Sequence, residues 1–316
     1  MKSLKVVFFG TPEFAKVILQ HIHESHHEVV GVVTVADKAS GRGQKIQQSA
    51  VKQYADSQNL KTLQPEKLRD EHFLEEVRSL QADIFVVVAF RMMPKVLFEM
   101  PPLGTFNLHA SLLPDYRGAA PINYAIINGE KETGVTTFFI NEKIDEGNIL
   151  LQKKTAIGQH ETAGELHDKL MLNGAELVLE TLNGLAAGTI EEKPQPKTEQ
   201  PKTAYKIFKD DTRINWNQPA DQVHNFIRGM SPYPAAFTYV TLSDEKKFLK
   251  IYSGTFEVVH HDKQPGSFDI SKNSFIFYTA DGTYTPTEVQ LEGKKRVAVK
   301  NFLNGFQNFE NIRTAE

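Results

Sequence analysis

Phe106-Asn107-Leu108-His109-Ala110-Ser111-Leu112-Leu113-Pro114 is the stretch on which the reading of this chain turns. Gly104 to His109 reads as a short strand, and period-two geometry puts Asn107 and His109 on the same face of it. An amide and an imidazole then sit at the carboxyl end of a strand, where open α/β sheets bind their ligands. Ile144-Asp145-Glu146-Gly147 follows a second strand-like run, Gly134 to Ile140, and brings Asp145 to the same crevice from a loop. An amide, a base and a carboxylate at one point suit acyl transfer, in which an oxyanion is held and protons are moved. Taken singly, an Asn-x-His pair is common, and Ser-Leu-Leu-Pro is equally well a buried turn closed by Pro114.

The surroundings of this stretch alternate. Lys5 to Phe9 reads as a buried strand ending at Gly10, with Thr11 as N-cap and Pro12 opening a helix from Glu13 to His23. Further strands read at Glu28 to Val35, Ile84 to Phe90, Thr105 to His109, Gly134 to Ile140 and Leu150 to Ile157. Helical patterns at Glu66 to Ser79 and Pro121 to Ile127 lie between them. Thr162-Ala163-Gly164-Glu165 is a capping box opening a long helix, with Leu166, Leu170, Val178 and Leu182 inward and Gly188 as C-cap. This is an α/β pattern, a Rossmann-like, mostly parallel sheet. Gly10-Thr11-Pro12 lacks the later glycines of a dinucleotide fingerprint. His21, His23, His26 and His27 lie around a helix end with no shared face, which reads as a solvated terminus rather than a metal site.

After Gly188 the pattern stops. Between Lys193 and Lys209 lie five lysines and one glutamate among Pro194, Pro196 and Pro201, a semi-extended basic tether. Strand-like runs then return at Ala236 to Val240, Phe248 to Tyr252, Ser274 to Thr279 and Thr287 to Leu291, with Asp281-Gly282 as a hairpin signal. The expected organisation is a catalytic domain over 1–189, a basic linker over 190–208 and a small OB-like β-barrel over 209–316. A length of 316 residues suits two domains. The absence of cysteine excludes disulfides, zinc–thiolate sites and thiol nucleophiles. Leu4 to Phe9 is too short for a signal or membrane segment, so a cytoplasmic protein is expected; a monomer is expected as well. With a net charge of −3, binding to nucleic acid requires locally concentrated basic residues.

The full string, with Tyr116-Arg117-Gly118-Ala119-Ala120-Pro121 and the Asp-Glu-Gly turn beyond it, resembles the folate-dependent formyltransferases. That resemblance implies a formyl group moved from 10-formyltetrahydrofolate, a co-substrate, to an amine, with no metal. It places the family's catalytic residues on Asn107, His109 and Asp145. Its folate-binding turn falls on Ser111, Leu112, Leu113 and Pro114, with Phe90 and Arg91 beside it. The polar loop Asp37-Lys38-Ala39-Ser40-Gly41-Arg42-Gly43-Gln44-Lys45 reads by itself as mobile and solvated, or as a flexible backbone fitting Arg42 and Lys45 to phosphate. It is similar to the insertion of those family members that formylate initiator methionyl-tRNA for translation initiation. That likeness implies this acceptor, met by Lys38, Arg42 and Lys45 with help from the second domain. Ala36 and Ala39 stand where such relatives usually carry prolines, and Arg91 stands where many carry glycine. One-domain ribonucleotide formyltransferases, nucleotide-sugar formyltransferases, formate-releasing hydrolases and a non-catalytic RNA-binding module are the rival readings.

Overall fold

The computed structural model describes residues 2–40, 45–242, 244–305 and 312–314. The chain forms two compact units, each assembled from separate segments. One comprises Met1–Gly118, Glu132–Ala156 and His167–Thr203; the other comprises Ala119–Lys131, Ile157–Leu166 and Ala204–Glu316.

In the first unit the strands are β1 (Lys5–Gly10), β2 (Glu28–Val33), β3 (Lys38–Ser40), β4 (Lys45–Gln47), β5 (Thr62–Leu63), β6 (Ile84–Val88), β7 (Thr105–His109), β8 (Arg117–Gly118), β9 (Glu132–Phe139) and β10 (Ile149–Ala156). A seven-stranded sheet runs β10-β9-β7-β6-β1-β2-β5. The pairs from β5 through β7 are parallel, whereas β9 and β10 turn back antiparallel. The mixed sheet is thus mostly parallel, as the alternation implies. β2 lies on one side of β1 and β6 on the other, so the strand order reverses between β1 and β6. Their carboxyl ends open a crevice of the kind that receives ligands. The register sets Gly10 beside Val88 and Val88 beside Leu108, so His109 lies one residue beyond that row. The central strands β1 and β6 are near-continuous apolar runs, as strands of a sheet covered on both faces are. Phe8, Phe9, Phe85 and Phe106 are fully buried, each contributing roughly 1.5–3 kcal/mol by removal from water.

The first unit's helices are α1 (Glu13–His23), α2 (Ala50–Ser57), α3 (Glu71–Ser79) and α4 (Lys95–Phe98); α5 (Pro121–Ile127) belongs to the second unit, and α6 (Ala163–Ala187) belongs to the first from His167 onward. Pro12, rather than Thr11, is the N-cap residue of α1, and no side chain caps it. α3 starts five residues later than its apolar pattern because Asp70 accepts from the Phe73 N–H and fixes the first turn there. Leu166, Leu170, Val178 and Leu182 are all buried along α6. The capping box is made: the Thr162 N–H donates to Glu165 and the Glu165 N–H to Thr162 Oγ1. Gly188, at φ +67°, ends the helix. His27 is not solvated. The Leu4 N–H donates to its Nδ1, and its Nε2 pairs with Asn183 Oδ1.

The second unit contains α7 (Ala220–Met230), α8 (Val299–Leu303) and the strands that follow β11 (Thr203–Ala204). These are β12 (Ala236–Leu242), β13 (Glu245–Val258), β14 (Phe268–Ile270), β15 (Phe275–Tyr278), β16 (Gly282–Leu291), β17 (Val297–Ala298) and β18 (Ile312–Thr314). They form an antiparallel sheet in the order β14-β15-β16-β13-β12-β18, with β17 on β16, curled into a half-barrel. Register shifts between Ile251 and Gly254 bend the long β13. Trp216 stacks on Phe277 at 4.6 Å over this core and donates to Thr238 Oγ1. Asp281 of the expected hairpin also caps α7, accepting from the Ala220 N–H at 2.8 Å. Among the described residues no helix is long and apolar enough to cross a membrane.

Candidate active site

His109 ends β7 and is only 7% exposed. Its Nε2 lies 2.8 Å from the Tyr116 carbonyl oxygen. A carbonyl can only accept, so Nε2 carries the proton and a neutral ring leaves Nδ1 as a lone pair. Nδ1 faces Asp145 Oδ2 at 3.9 Å, too far for a direct hydrogen bond. The imidazole is therefore oriented by the Tyr116 backbone, and Asp145 stands across a gap from its free nitrogen. Asp145 Oδ2 is itself held by the Gly118 N–H at 3.0 Å. Asn107 lies on the same face of β7, and its Oδ1 is buried with no hydrogen-bond partner among the described residues. A buried acceptor left unsatisfied costs roughly 1–3 kcal/mol, which points to a partner brought by substrate.

The backbone around this group is strained. Ala89, Tyr116 and Asp145 have φ of +46°, +61° and +55°, in the left-handed region that non-glycine residues seldom occupy. Gly147 explains why the Asp145 turn ends in glycine. A Cβ there would lie 1.6 Å from the Phe139 carbonyl oxygen. The turn is thus pressed against β9, and only a residue without a side chain permits it.

The Ser111–Pro114 turn is tied to the sheet through Thr136 and Gln152. Thr136 Oγ1 donates to the Ser111 carbonyl at 2.6 Å and accepts from the Leu113 N–H, while Gln152 Nε2 donates to the Leu113 carbonyl. Ser111 is fully buried, donating to the Asp115 carbonyl, and Leu113 is buried as well. Leu112 is half-buried against Gly134, and the Leu113–Pro114 peptide is cis. Leu113 is thus packed inward, and Leu112 is the more accessible leucine of the turn. Phe90 packs on Phe9 at 5.7 Å. Arg91 is exposed, its guanidinium bonded to the carbonyls of Pro65 and Glu66.

The polar loop over residues 37–45 is partly a hairpin. β3 and β4 pair antiparallel, Lys38 opposite Gln47 and Ser40 opposite Lys45, where the sequence reads as open loop. Arg42 lies outside the described residues, and Lys38 and Lys45 are described by their backbone alone. The proline-rich stretch does not run free either. Lys193 bridges Ile149 through both backbone hydrogen bonds, and the Tyr116 N–H donates to the Lys202 carbonyl. Gln195 reaches the Asp145 turn itself, donating to the carbonyls of Asp145 and Gly147. No pattern of spacing marks that glutamine.

Within the second unit, β12 and β13 carry a basic and aromatic outer face that sequence reasoning did not single out. Phe237 pairs with Lys250, Tyr239 with Phe248 and Thr241 with Lys246. Lys209 lies over Phe248 at 5.2 Å, while Arg213 and Lys246 lie over Tyr239 at 5.4 and 5.0 Å. Lys206 lies over the exposed Phe208. The period-two spacing of Phe237 with Tyr239, and of Lys246 with Phe248 and Lys250, is the signal that marks it. Such a face suits a phosphate backbone.

Known proteins resemble this chain along nearly its whole length. Residues 4–182 match the formyl transferase family and residues 206–307 its C-terminal domain. The methionyl-tRNA formyltransferase of Flavobacterium johnsoniae is 49% identical over 305 residues, covering 96% of this chain and 97% of that one. That of Flavobacterium psychrophilum is 50% identical over 306 residues, with the same coverage of each chain. Among solved structures, the N-formyltransferase from Helicobacter canadensis matches in fold, with a TM-score of 0.66 at 24% identity over 90% of this chain and 99% of that one. Nearly half of all aligned residues are shared with the two Flavobacterium enzymes along almost the whole length of each, and the chain belongs to the methionyl-tRNA formyltransferase family.

Proposed function

We propose that this chain transfers the formyl group of 10-formyltetrahydrofolate to the α-amine of initiator methionyl-tRNA, with Asn107, His109 and Asp145 as the catalytic residues. The observation that carries the reading is the buried, unpartnered Asn107 Oδ1 beside a histidine whose Nδ1 faces a carboxylate. The attacking amine must be neutral; an α-amine has a pKa of about 7.7–8.0, and esterification to tRNA lowers it. One N–H of that amine satisfies Asn107 Oδ1, and the amide NH2 donates to the oxyanion as the tetrahedral centre forms. His109 Nδ1 and Asp145 hold the proton lost by the amine until N10 of the folate leaves with it, so protons balance over the transfer. While His109 carries both protons it donates to the oxyanion, and Asp145 provides the counter-charge. The Ser111–Pro114 turn contributes its fixed backbone to the folate, with Leu112 and Phe90 supplying apolar surface. Lys38, Arg42 and Lys45, together with Lys209, Arg213 and Lys246, meet acceptor phosphates. We place the reaction in the cytoplasm, in keeping with a chain that contains no cysteine.

A panel of acceptors tests this reading. The enzyme is given 10-formyltetrahydrofolate with methionyl-tRNA, free methionine, a ribonucleotide amine, an amino-sugar nucleotide or water, and the formylated product is identified. N-formylmethionyl-tRNA should dominate. Formate released at the same rate without an amine, or preferred formylation of the sugar amine, would overturn it.

A further inference from the structure

Gln195 is half-buried in the stretch that follows α6, flanked by Pro194 and Pro196. Its Nε2 donates to the Asp145 carbonyl at 2.8 Å and to the Gly147 carbonyl at 2.9 Å. Its Oε1 accepts from Arg117 Nε at 3.2 Å and Nη2 at 2.6 Å. Arg117 Nη1 lies 3.2 Å from Glu146, and the next residue, Gly118, is the one whose N–H holds the Asp145 carboxylate. One amide thus joins the two turns that fix Asp145, one through its backbone and the other through its side chain. The Asp145 turn needs such a hold. Its φ of +55° is costly, and no regular ladder bonds the carbonyls of Asp145 and Gly147. Flanking prolines limit the freedom of the segment that delivers the glutamine, so little entropy opposes the bonds it makes.

We propose that Gln195 is a positioning residue for Asp145, setting the distance between that carboxylate and His109 Nδ1; the proposal rests on Asp145 taking part in the reaction. Gln195→Ala frees both carbonyls and lets the turn relax. A displacement of about 1 Å is enough to cost on the order of 100-fold in turnover. Gln195→Glu keeps the length and the contact with Arg117 but removes both donors, so it isolates the half of the amide that grips the turn.

The test is single-turnover formylation of methionyl-tRNA by the wild type, Gln195→Ala, Gln195→Glu, Asp145→Ala and Gln195→Ala/Asp145→Ala. KM for each substrate and thermal melting are measured alongside. Both Gln195 variants should lower kcat by about 10- to 100-fold with both KM values and melting nearly unchanged, and the double variant should be no slower than Asp145→Ala. Wild-type kcat in Gln195→Ala or Gln195→Glu, with Asp145→Ala severely slowed, would overturn the positioning role and leave the catalytic assignment standing. A loss confined to KM for tRNA, or a double variant slowed by the product of the single effects, would overturn it as well. Near-normal turnover in Asp145→Ala would remove the catalytic assignment itself, and the positioning role with it.

Discussion

Around the end of β7 the polar groups are largely buried, and His109 and Asp145 are held by backbone on turns that adopt costly dihedrals. On the outer face of β12 and β13 the cations lie over aromatic rings on an ordinary antiparallel ladder. His109 is fixed by a carbonyl, Asp145 by an N–H and Asn107 keeps an acceptor unsatisfied. Lys209, Arg213 and Lys246 rest on Tyr239 and Phe248 with no strained backbone among them. The difference is what the two proposed tasks require. Stabilising a transition state requires groups already placed when charge develops, and that placement is maintained at a cost in stability. Gripping a phosphate chain requires charge that adapts, and its energy comes largely from released counterions.

The largest effects belong to the buried group. Asn107→Ala, His109→Ala and Asp145→Ala should each reduce kcat by roughly 10²–10⁴ while folate affinity changes little. The double variant His109→Ala/Asp145→Ala should lose far less than the product of the single losses, as residues acting as a unit do. Fully multiplicative losses would break the pairing across the 3.9 Å gap.

Unsatisfied burial is not confined to the first unit, and the second offers a control for what it means. Burial, then the Arg228 charge and the neighbouring His160, push the His224 imidazole down to about 4 from the ordinary 6.5. Its Nε2 meets His160 Nδ1 at 3.2 Å, and its Nδ1 has no hydrogen-bond partner among the described residues. A histidine lowered in the folded state binds its proton first in the unfolded chain. Its contribution to stability is therefore complete above pH 6.5 and is lost as pH falls towards 4. The loss should be on the order of 3 kcal/mol, read from melting at a series of pH values. His224→Phe should flatten that part of the profile, and an unchanged slope would show that other groups set it.

The smallest effects belong to the cations. Lys209→Ala, Arg213→Ala and Lys246→Ala should each weaken tRNA binding a few-fold and lower the salt slope of binding by about one unit. Turnover at saturating tRNA should stay unchanged. A fall in kcat without a change in slope would move that residue from the binding face to the chemistry.

Much of the first unit was legible because its signals are local. β1 and β6 are continuous apolar runs, and α6 carries both its capping box and its C-terminal glycine. What escaped has weak or non-local causes. β5 has two residues and is a strand only because Val32 and Val33 are beside it. α2 begins at a Ser49 cap and buries only Val51 and Ala55, too few for a clear stripe. The Asn-x-His pair and the Asp-Glu-Gly turn could be read from period and turn chemistry. The grip of Gln195, fifty residues beyond Asp145, rests on tertiary hydrogen bonds for which no spacing rule exists. Leu113 shows the same limit from the other direction. The sequence does not tell which leucine of the turn points inward; Thr136 and Gln152 hold the Leu113 backbone and its side chain is buried, so Leu113→Asp would disturb folding as well.

The most direct test of the division between chemistry and grip is a single variant measured in two ways. His109→Ala should bind methionyl-tRNA and the folate at equilibrium as the wild type does, yet transfer the formyl group at least about 100-fold more slowly in a single turnover with both sites filled. A transfer rate close to that of the wild type, or a loss carried by weaker binding of either substrate, would contradict the account.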